Sequence, residues 1–255
     1  MFRKRVKMCF LYCALRDTFY EGNKIFISLL FLAFVSAHAQ NIVTSDTTVT
    51  ANLPSWRFSA QGGYAYRVGR VDNSQDAVLV NHIKKLKHGV TYGADATWFF
   101  MESLGVGLKY NSLNVGNSEQ VTVTYDDGTQ KSGLLEDRIN IWFFGPMASY
   151  RVLSRNMRSA FFMNVGLGYM EYKDSAVLID PFIIKGGTIG SLYEFGYDVG
   201  LTDKISLGAM LSFVSGTLTG YQTNQGGSWN TVDLESDSYE SLNHINLSIG
   251  LRINL

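Results

Sequence analysis

The residues able to do chemistry are few, and their spacing works against catalysis. Three histidines, His82, His88 and His244, follow Gln40, whereas both cysteines, Cys9 and Cys13, precede it. A thiol nucleophile, a disulfide and lipidation at an N-terminal cysteine are therefore excluded from the chain beyond Gln40. His244 lies in the alternating run SLNHINLSIGLRINL, and the first serine on its own phase is Ser248. A serine nucleophile needs its base within hydrogen-bond reach, about 2.6–3.2 Å, and two side chains four residues apart on a strand are about 13 Å apart. Glu194 and Asp198 have that same four-residue separation, too wide for a shared proton. Metal-ligand spacings and glycine-rich phosphate loops are not found. No catalytic, cofactor-binding or metal-binding residue and no cofactor are assigned, and the chain is read as a non-enzyme.

Charged residues are more informative than histidines. Arg57, Asp95, Lys109, Glu194, Asp198 and Arg252 fall within segments of strict two-residue alternation, each on the polar phase. The last segment sets the pattern. Ile245, Leu247, Ile249, Leu251, Ile253 and Leu255 alternate without exception with His244, Asn246, Ser248, Gly250, Arg252 and Asn254, a strand with two very different faces. Earlier segments repeat it: Trp56–Val68, Val90–Phe100, Leu104–Asn111, Phe161–Tyr169, Ile189–Leu201 and Ile205–Phe213. Arg138–Arg151 is less regular. Ile139, Ile141 and Phe143 alternate with Asn140, and Gly145-Pro146 is expected to carry a bulge that flips the phase.

These segments make eight strands, with long connections after the first, third, fifth and seventh and short turns after the others. The first connection carries a short helix, with Leu79, Ile83 and Leu86 at i, i+4, i+7, Asp76 as its cap and Gly89 as its stop. The second, Ser112–Asp137, contains its own hairpin signal at Asp126-Asp127-Gly128. Tyr172–Lys185 and Ser215–Asp237 are read as loops. Alternating long and short connections, with apolar residues on one face and charges on the other, describe an all-β, eight-stranded antiparallel up-and-down transmembrane β-barrel. Lipid exposure of a mid-strand Arg or Lys costs about 2–4 kcal/mol, so the charged phase must face the lumen. A soluble ligand-carrying barrel would reverse the faces.

Composition fits this reading. Glycine (25), tyrosine (14) and phenylalanine (16) are abundant and proline (3) is scarce. Ile25–Val35 is an apolar run too short for a membrane span, which takes about 20 residues; with Ala37-His38-Ala39 after it, residues 1–39 read as a cleaved signal peptide with an extended lead. Residues 40–55 form a periplasmic tail and 56–255 the barrel. After cleavage 16 basic residues face 20 acidic ones, a net charge of −4, which argues against nucleic acid as partner.

The glycine-and-aromatic strands LKHGVTYGADATWFF, VGLGYMEYKD and GYDVGLTDKISLGAML resemble the small eight-stranded outer-membrane barrels, similar to the OmpA transmembrane domain and OmpX, in their Bacteroidota-type form. The resemblance implies a monomer in the bacterial outer membrane, with periplasmic termini and delivery by the barrel-insertion machinery. Such barrels usually end in an aromatic residue; this chain ends in Leu255.

Inside so narrow a ring, side chains fill the lumen. Strands two and three turn about Glu102, which sets Asp95 opposite Lys109. Arg57 and Arg252 become neighbours on closure, with Asp198 at their level. Lys84, Lys85 and Lys87, with His82 and His88, form a basic patch at the depth of lipopolysaccharide phosphates. The Val121–Gly133 hairpin offers strand edges to an extracellular partner. The function expected is structural support of the envelope or surface interaction with a plugged lumen. A narrow pore or small-solute transporter, and a lipid-A-modifying enzyme, are the alternatives.

Overall fold

A computed structural model describes residues 55–69, 77–124, 130–155, 157–178, 180–235 and 238–255. The signal-peptide reading, the tail up to Pro54, the Asp76 cap and the Asp126-Asp127-Gly128 turn lie outside these residues.

Eight strands close a ring: β1 (Trp56–Arg67), β2 (His88–Phe99), β3 (Leu104–Thr124), β4 (Gln130–Leu153), β5 (Ser159–Leu178), β6 (Asp180–Gly200), β7 (Ile205–Leu218) and, last in the chain, β11 (His244–Asn254). Every neighbouring pair is antiparallel, and β11 closes the ring by pairing with both β7 and β1. Between β7 and β11 come a hairpin, β8 (Gly220–Gln225) and β9 (Ser228–Asp233), and the two-residue β10 (Glu240–Ser241). Gly226 and Gly227 turn that hairpin with φ of 67° and 94°, the left-handed pair a two-residue hairpin turn demands.

Register fixes the strand tilt. Partners of Arg57 run through Thr97, Gly107, Met147, Gly166, Leu192, Val214 and His244, then return to β1 at Arg67, ten residues higher. With strands about 4.8 Å apart and about 3.3 Å per residue, that stagger tilts the strands by about 40° from the barrel axis, as closure of an eight-stranded ring requires.

The half of the ring nearest the chain's C-terminus carries an apolar outer wall. Leu247, Ile249, Leu251, Leu207, Leu211, Val106 and Leu108 are exposed there, and among the described residues no charge interrupts the outward phase. Trp56, Trp98, Phe100 and Tyr197 border this band at the terminal rim; Tyr64, Tyr92, Tyr169 and Phe144 border it toward the opposite, hairpin rim.

Beyond the second border the wall inverts. Leu113, Val115, Ile139, Ile141, Phe143, Met170, Tyr172, Val214 and Leu218 are buried inside, while Asn114, Arg138, Asn140, Glu171 and Lys173 take the outward phase. This corrects the reading of strand four. β4 keeps one register with β3 from Leu104↔Tyr150 to Thr124↔Gln130, and one register with β5 on both sides of Gly145-Pro146. No bulge flips it. The apolar phase changes because the surroundings change, from lipid outside to a packed core inside. Pro146 faces outward and Gly145 inward, where a Cβ would lie 2.3 Å from the Leu167 carbonyl oxygen, so β4 and β5 approach closely there.

The segments read as loops are also largely strand. β5 and β6 run on as a hairpin to Leu178 and Asp180, and β8 pairs with β6 at Ile183–Lys185. Helix α1 (Ala77–Lys85) lies at the hairpin rim against β3. Ile83 and Leu86 are buried, as their helical spacing dictates, and Lys84 and Lys85 occupy the opposite, exposed side.

Candidate functional site

Two interior storeys fill the lumen. The lower one is ionic. Arg252 Nε lies 3.3 Å from Asp198 Oδ1 and Arg57 Nη1 3.8 Å from Asp198 Oδ2. Arg57 Nη2 is 3.3 Å from Asp95 Oδ2, Lys109 Nζ is 3.2 Å from Asp95 Oδ1, and Lys109 Nζ is 3.0 Å from Glu194 Oε1. All six charges thus form one chain of alternating sign, Arg252–Asp198–Arg57–Asp95–Lys109–Glu194, running up the inside of the ring. Arg57, Lys109, Glu194 and Arg252 have no solvent exposure.

Neutral groups add hydrogen bonds to this chain, while Arg57 Nε and Nη1, Asp198 Oδ1 and Arg252 Nε make none among the described residues. Glu194 accepts hydrogen bonds from Asn164 Nδ2 and Ser212 Oγ, each at 2.9 Å. Ser59 donates to Asp95. Arg252 donates to the carbonyls of Gly208 and Gly250 and to Gln61 Oε1. The Arg57 guanidinium covers the Phe162 ring at 4.0 Å, and Arg151 covers Phe99 at 3.9 Å. Buried charges persist when paired and hydrogen-bonded in this way; removal of one partner costs about 3–5 kcal/mol.

The upper storey is apolar, with a polar knot beneath helix α1. His82 is fully buried, its Nε2 2.6 Å from Asp137 Oδ2 and its Nδ1 2.8 Å from Asn117 Nδ2. Asp174 sits beside Asp137 and accepts a hydrogen bond from the Tyr172 hydroxyl at 3.3 Å. This knot lies above the lipid-facing band, on the extension of β5 past Tyr169. Burial first, and then the neighbouring Asp137, push the Asp174 carboxyl up to about 7. Arg67 ties β1 to Glu240 at 3.1 Å.

The basic patch of the first connection divides. His82 turns inward. Lys85 pairs with Glu119 of β3, whose carboxyl is held below its ordinary range by hydrogen bonds from Lys85 and Asn117. Lys87 donates to the Gly69 carbonyl and lies 5.7 Å from the Tyr66 ring. Lys84 is exposed. His88 faces outward against Tyr64 and Tyr66, and His244 faces inward, with Nδ1 2.8 Å from the Leu242 carbonyl oxygen. Among the described residues no group of three or more His, Cys, Asp or Glu is placed to hold a metal ion.

The knot at His82, Asp137 and Asp174 escaped the sequence reading, although a signal existed. His82 falls on the same helical stripe as Leu79, Ile83 and Leu86, so burying that stripe buries the imidazole. Asp137 and Asp174 carry no such mark; only the extended β3–β6 wall brings them together.

Ring, tilt, apolar band and ion-filled lumen define an eight-stranded up-and-down barrel of the outer-membrane type. Among solved structures, the neisserial surface protein A (NspA) matches at 14% identity and TM-score 0.47, over 79% of this chain and 97% of that one. The outer membrane protein OprG from Pseudomonas aeruginosa matches at 14% identity and TM-score 0.47, over 80% and 98%. A major outer membrane protein from Thermus thermophilus matches at 12% identity and TM-score 0.49, over 79% and 100%. No family model matches this chain, and neither does any curated protein.

Proposed function

We propose that this chain is a non-enzymatic, monomeric protein of the bacterial outer membrane whose sealed barrel supports the envelope and presents the hairpin rim to the cell exterior. Residues 1–39 are removed as a signal peptide, the barrel-insertion machinery places the chain, and residues 40–55 and Leu255 remain periplasmic. The observation that carries this reading is the pair of storeys inside the ring. A buried ion chain is followed upward by a packed apolar plug, and stacked seals of opposite chemistry oppose a continuous polar path for an ion. The exposed lysine of α1, Lys84, together with Lys85 and Lys87, meets lipopolysaccharide phosphates, and the protruding β3–β4 hairpin engages an extracellular partner.

A planar-bilayer recording tests the seal. The purified chain is expected to give no stepwise conductance; steady single-channel steps would replace the sealed barrel with a narrow pore. Mass analysis of lipid A from cells overproducing the chain is expected to match control cells, and a new acylation pattern would make it a lipid-modifying enzyme.

A further inference from the structure

The outer wall just above the apolar band carries an arrangement that the barrel alone does not explain. Lys173 of β5 and Lys185 of β6 are direct cross-strand partners, and both lie on the outward phase, since their neighbours Asp174 and Ile184 are buried inside. Arg138 of β4 is on the same outward face, diagonal to Lys173, with its side chain 76% exposed. Like charges set directly opposite on a sheet destabilise it unless an anion lies between them. The carboxylates within reach do not fill that role. Glu136 is taken by Arg138, and Glu171, one outward step below Lys173, accepts instead from Trp142 Nε1 at 3.3 Å. Among the described residues no ion pair joins Glu171 to either lysine. Lys185 Nζ lies 5.5 Å from the Trp229 ring centroid, a contact that orients the ammonium without neutralising it.

Depth narrows the choice of anion. Lys173 is four residues beyond the border tyrosine Tyr169, and Lys185 four residues beyond Ile189. At a tilt of about 40° that is about 10 Å along the barrel axis, where headgroups meet the wall. Below and beside the cations runs a neutral polar ladder on the outside of β3 and β4: Asn140 Nδ2 donates to Ser112 Oγ and to Asn114 Oδ1, both at 2.9 Å. Trp142 and Tyr169 adjoin it with ring centroids 5.5 Å apart. Amides and hydroxyls turned toward hydrocarbon are costly; turned toward sugar hydroxyls they are matched, and aromatic faces suit sugar rings.

We infer that the outward wall formed by Arg138, Lys173 and Lys185, with the Asn114–Asn140 ladder beneath, binds the phosphorylated saccharide headgroup of an outer-leaflet glycolipid. Two lysines and an arginine hold the phosphate, and the ladder holds the sugar. This site lies on a different face from the α1 lysines. It rests on the hairpin rim being extracellular, which protease treatment of whole cells tests separately from binding.

The test measures binding of four ligands to the purified full chain in detergent: a phosphorylated lipid A disaccharide, its dephosphorylated form, phosphatidylglycerol and inorganic phosphate. The phosphorylated glycolipid is expected to bind far more tightly than the other three. The Arg138→Gln/Lys173→Gln/Lys185→Gln variant is expected to lose about 100-fold in that affinity, on the scale of roughly fivefold per basic group at a charged headgroup surface. Its heat-modifiable migration should be unchanged, and a Lys84→Gln/Lys85→Gln/Lys87→Gln variant should still distinguish the phosphorylated from the dephosphorylated glycolipid. Equal binding of the dephosphorylated lipid, equal binding of phosphatidylglycerol or phosphate, or unaltered binding by the first variant overturns the inference. Should the triple variant fail to fold, Lys185→Gln alone decides. It is expected to raise the unfolding midpoint in neutral detergent, by relieving the lysine pair, and to lower it relative to the parent when the glycolipid is added; the same sign in both media overturns the site.

Discussion

The lower and upper storeys of this barrel solve the same problem, filling a narrow ring, with opposite materials. At the level of Lys109 the lumen is held by charges and the outside is greasy; at the level of Ile141 the lumen is greasy and the outside is polar. Strands β3 to β7 pass through both without a break in register. The backbone is indifferent to which face is apolar. What differs is the solvent outside: hydrocarbon for about 25 Å of height, then water and headgroups. The inversion line through Tyr110, Phe144, Tyr169 and Phe213 therefore records where the bilayer ends.

The lower storey is most vulnerable at Lys109. Lys109→Met leaves Asp95 and Glu194 buried without their shared cation and is expected to cost about 3–5 kcal/mol, read as a lowered urea midpoint in micelles. Adding Asp95→Asn and Glu194→Gln should recover much of the loss. A neutral single substitution would mean that the lower storey is not held by charge.

In the upper storey, Leu113→Ala removes a fully buried side chain and is expected to cost about 2–4 kcal/mol. Its distinguishing mark is local. Hydrogen exchange should quicken in α1 and the tops of β3 and β4, while amides within the lipid-facing band stay protected. Uniform loss of protection would show that the storeys do not act separately.

Asp174 gives the upper storey a pH dependence. Its carboxyl is raised from an ordinary 3.8 to about 7, so between those values the folded chain holds a proton that the unfolded chain releases. The stability this supplies is complete below about pH 4 and is lost as the pH rises through 7. Asp174→Asn is expected to stabilise the chain by on the order of 2–4 kcal/mol at pH 8.5 and to change little near pH 4. Equal midpoints for variant and parent at both pH values would remove the buried acid pair from the account.

The smallest effect belongs to Lys85→Gln. Its partner Glu119 lies outside the packed region and the lysine side chain is half exposed, so a change below about 1 kcal/mol is expected in thermal unfolding.

Much of the lower storey was legible in the residue order. Two-residue alternation places Arg57, Asp95, Lys109, Glu194, Asp198 and Arg252 on one phase, and the turn about Glu102 sets Asp95 against Lys109. Their union into a single chain was not legible. The links Arg57–Asp95 and Lys109–Glu194 cross between strands, and the second joins β3 to β6, which only closure and stagger bring within reach. Strand four shows the opposite failure. Its change of apolar phase near Gly145-Pro146 is a real signal, but the cause is a change of environment at constant register, and a local reading could only invoke a bulge.

Residue order by itself determined that this chain forms strands with one greasy and one charged face, eight of them, joined by alternating long and short connections; period-two patterning is a local property and survives without knowledge of neighbours. Tertiary structure alone decided which charges meet, where the wall inverts, and that His82, Asp137 and Asp174 gather under the helix. The reason is geometric. A stagger of ten residues around the ring carries each strand past its neighbours at an angle, so height in the membrane depends on strand number as well as on position along the strand.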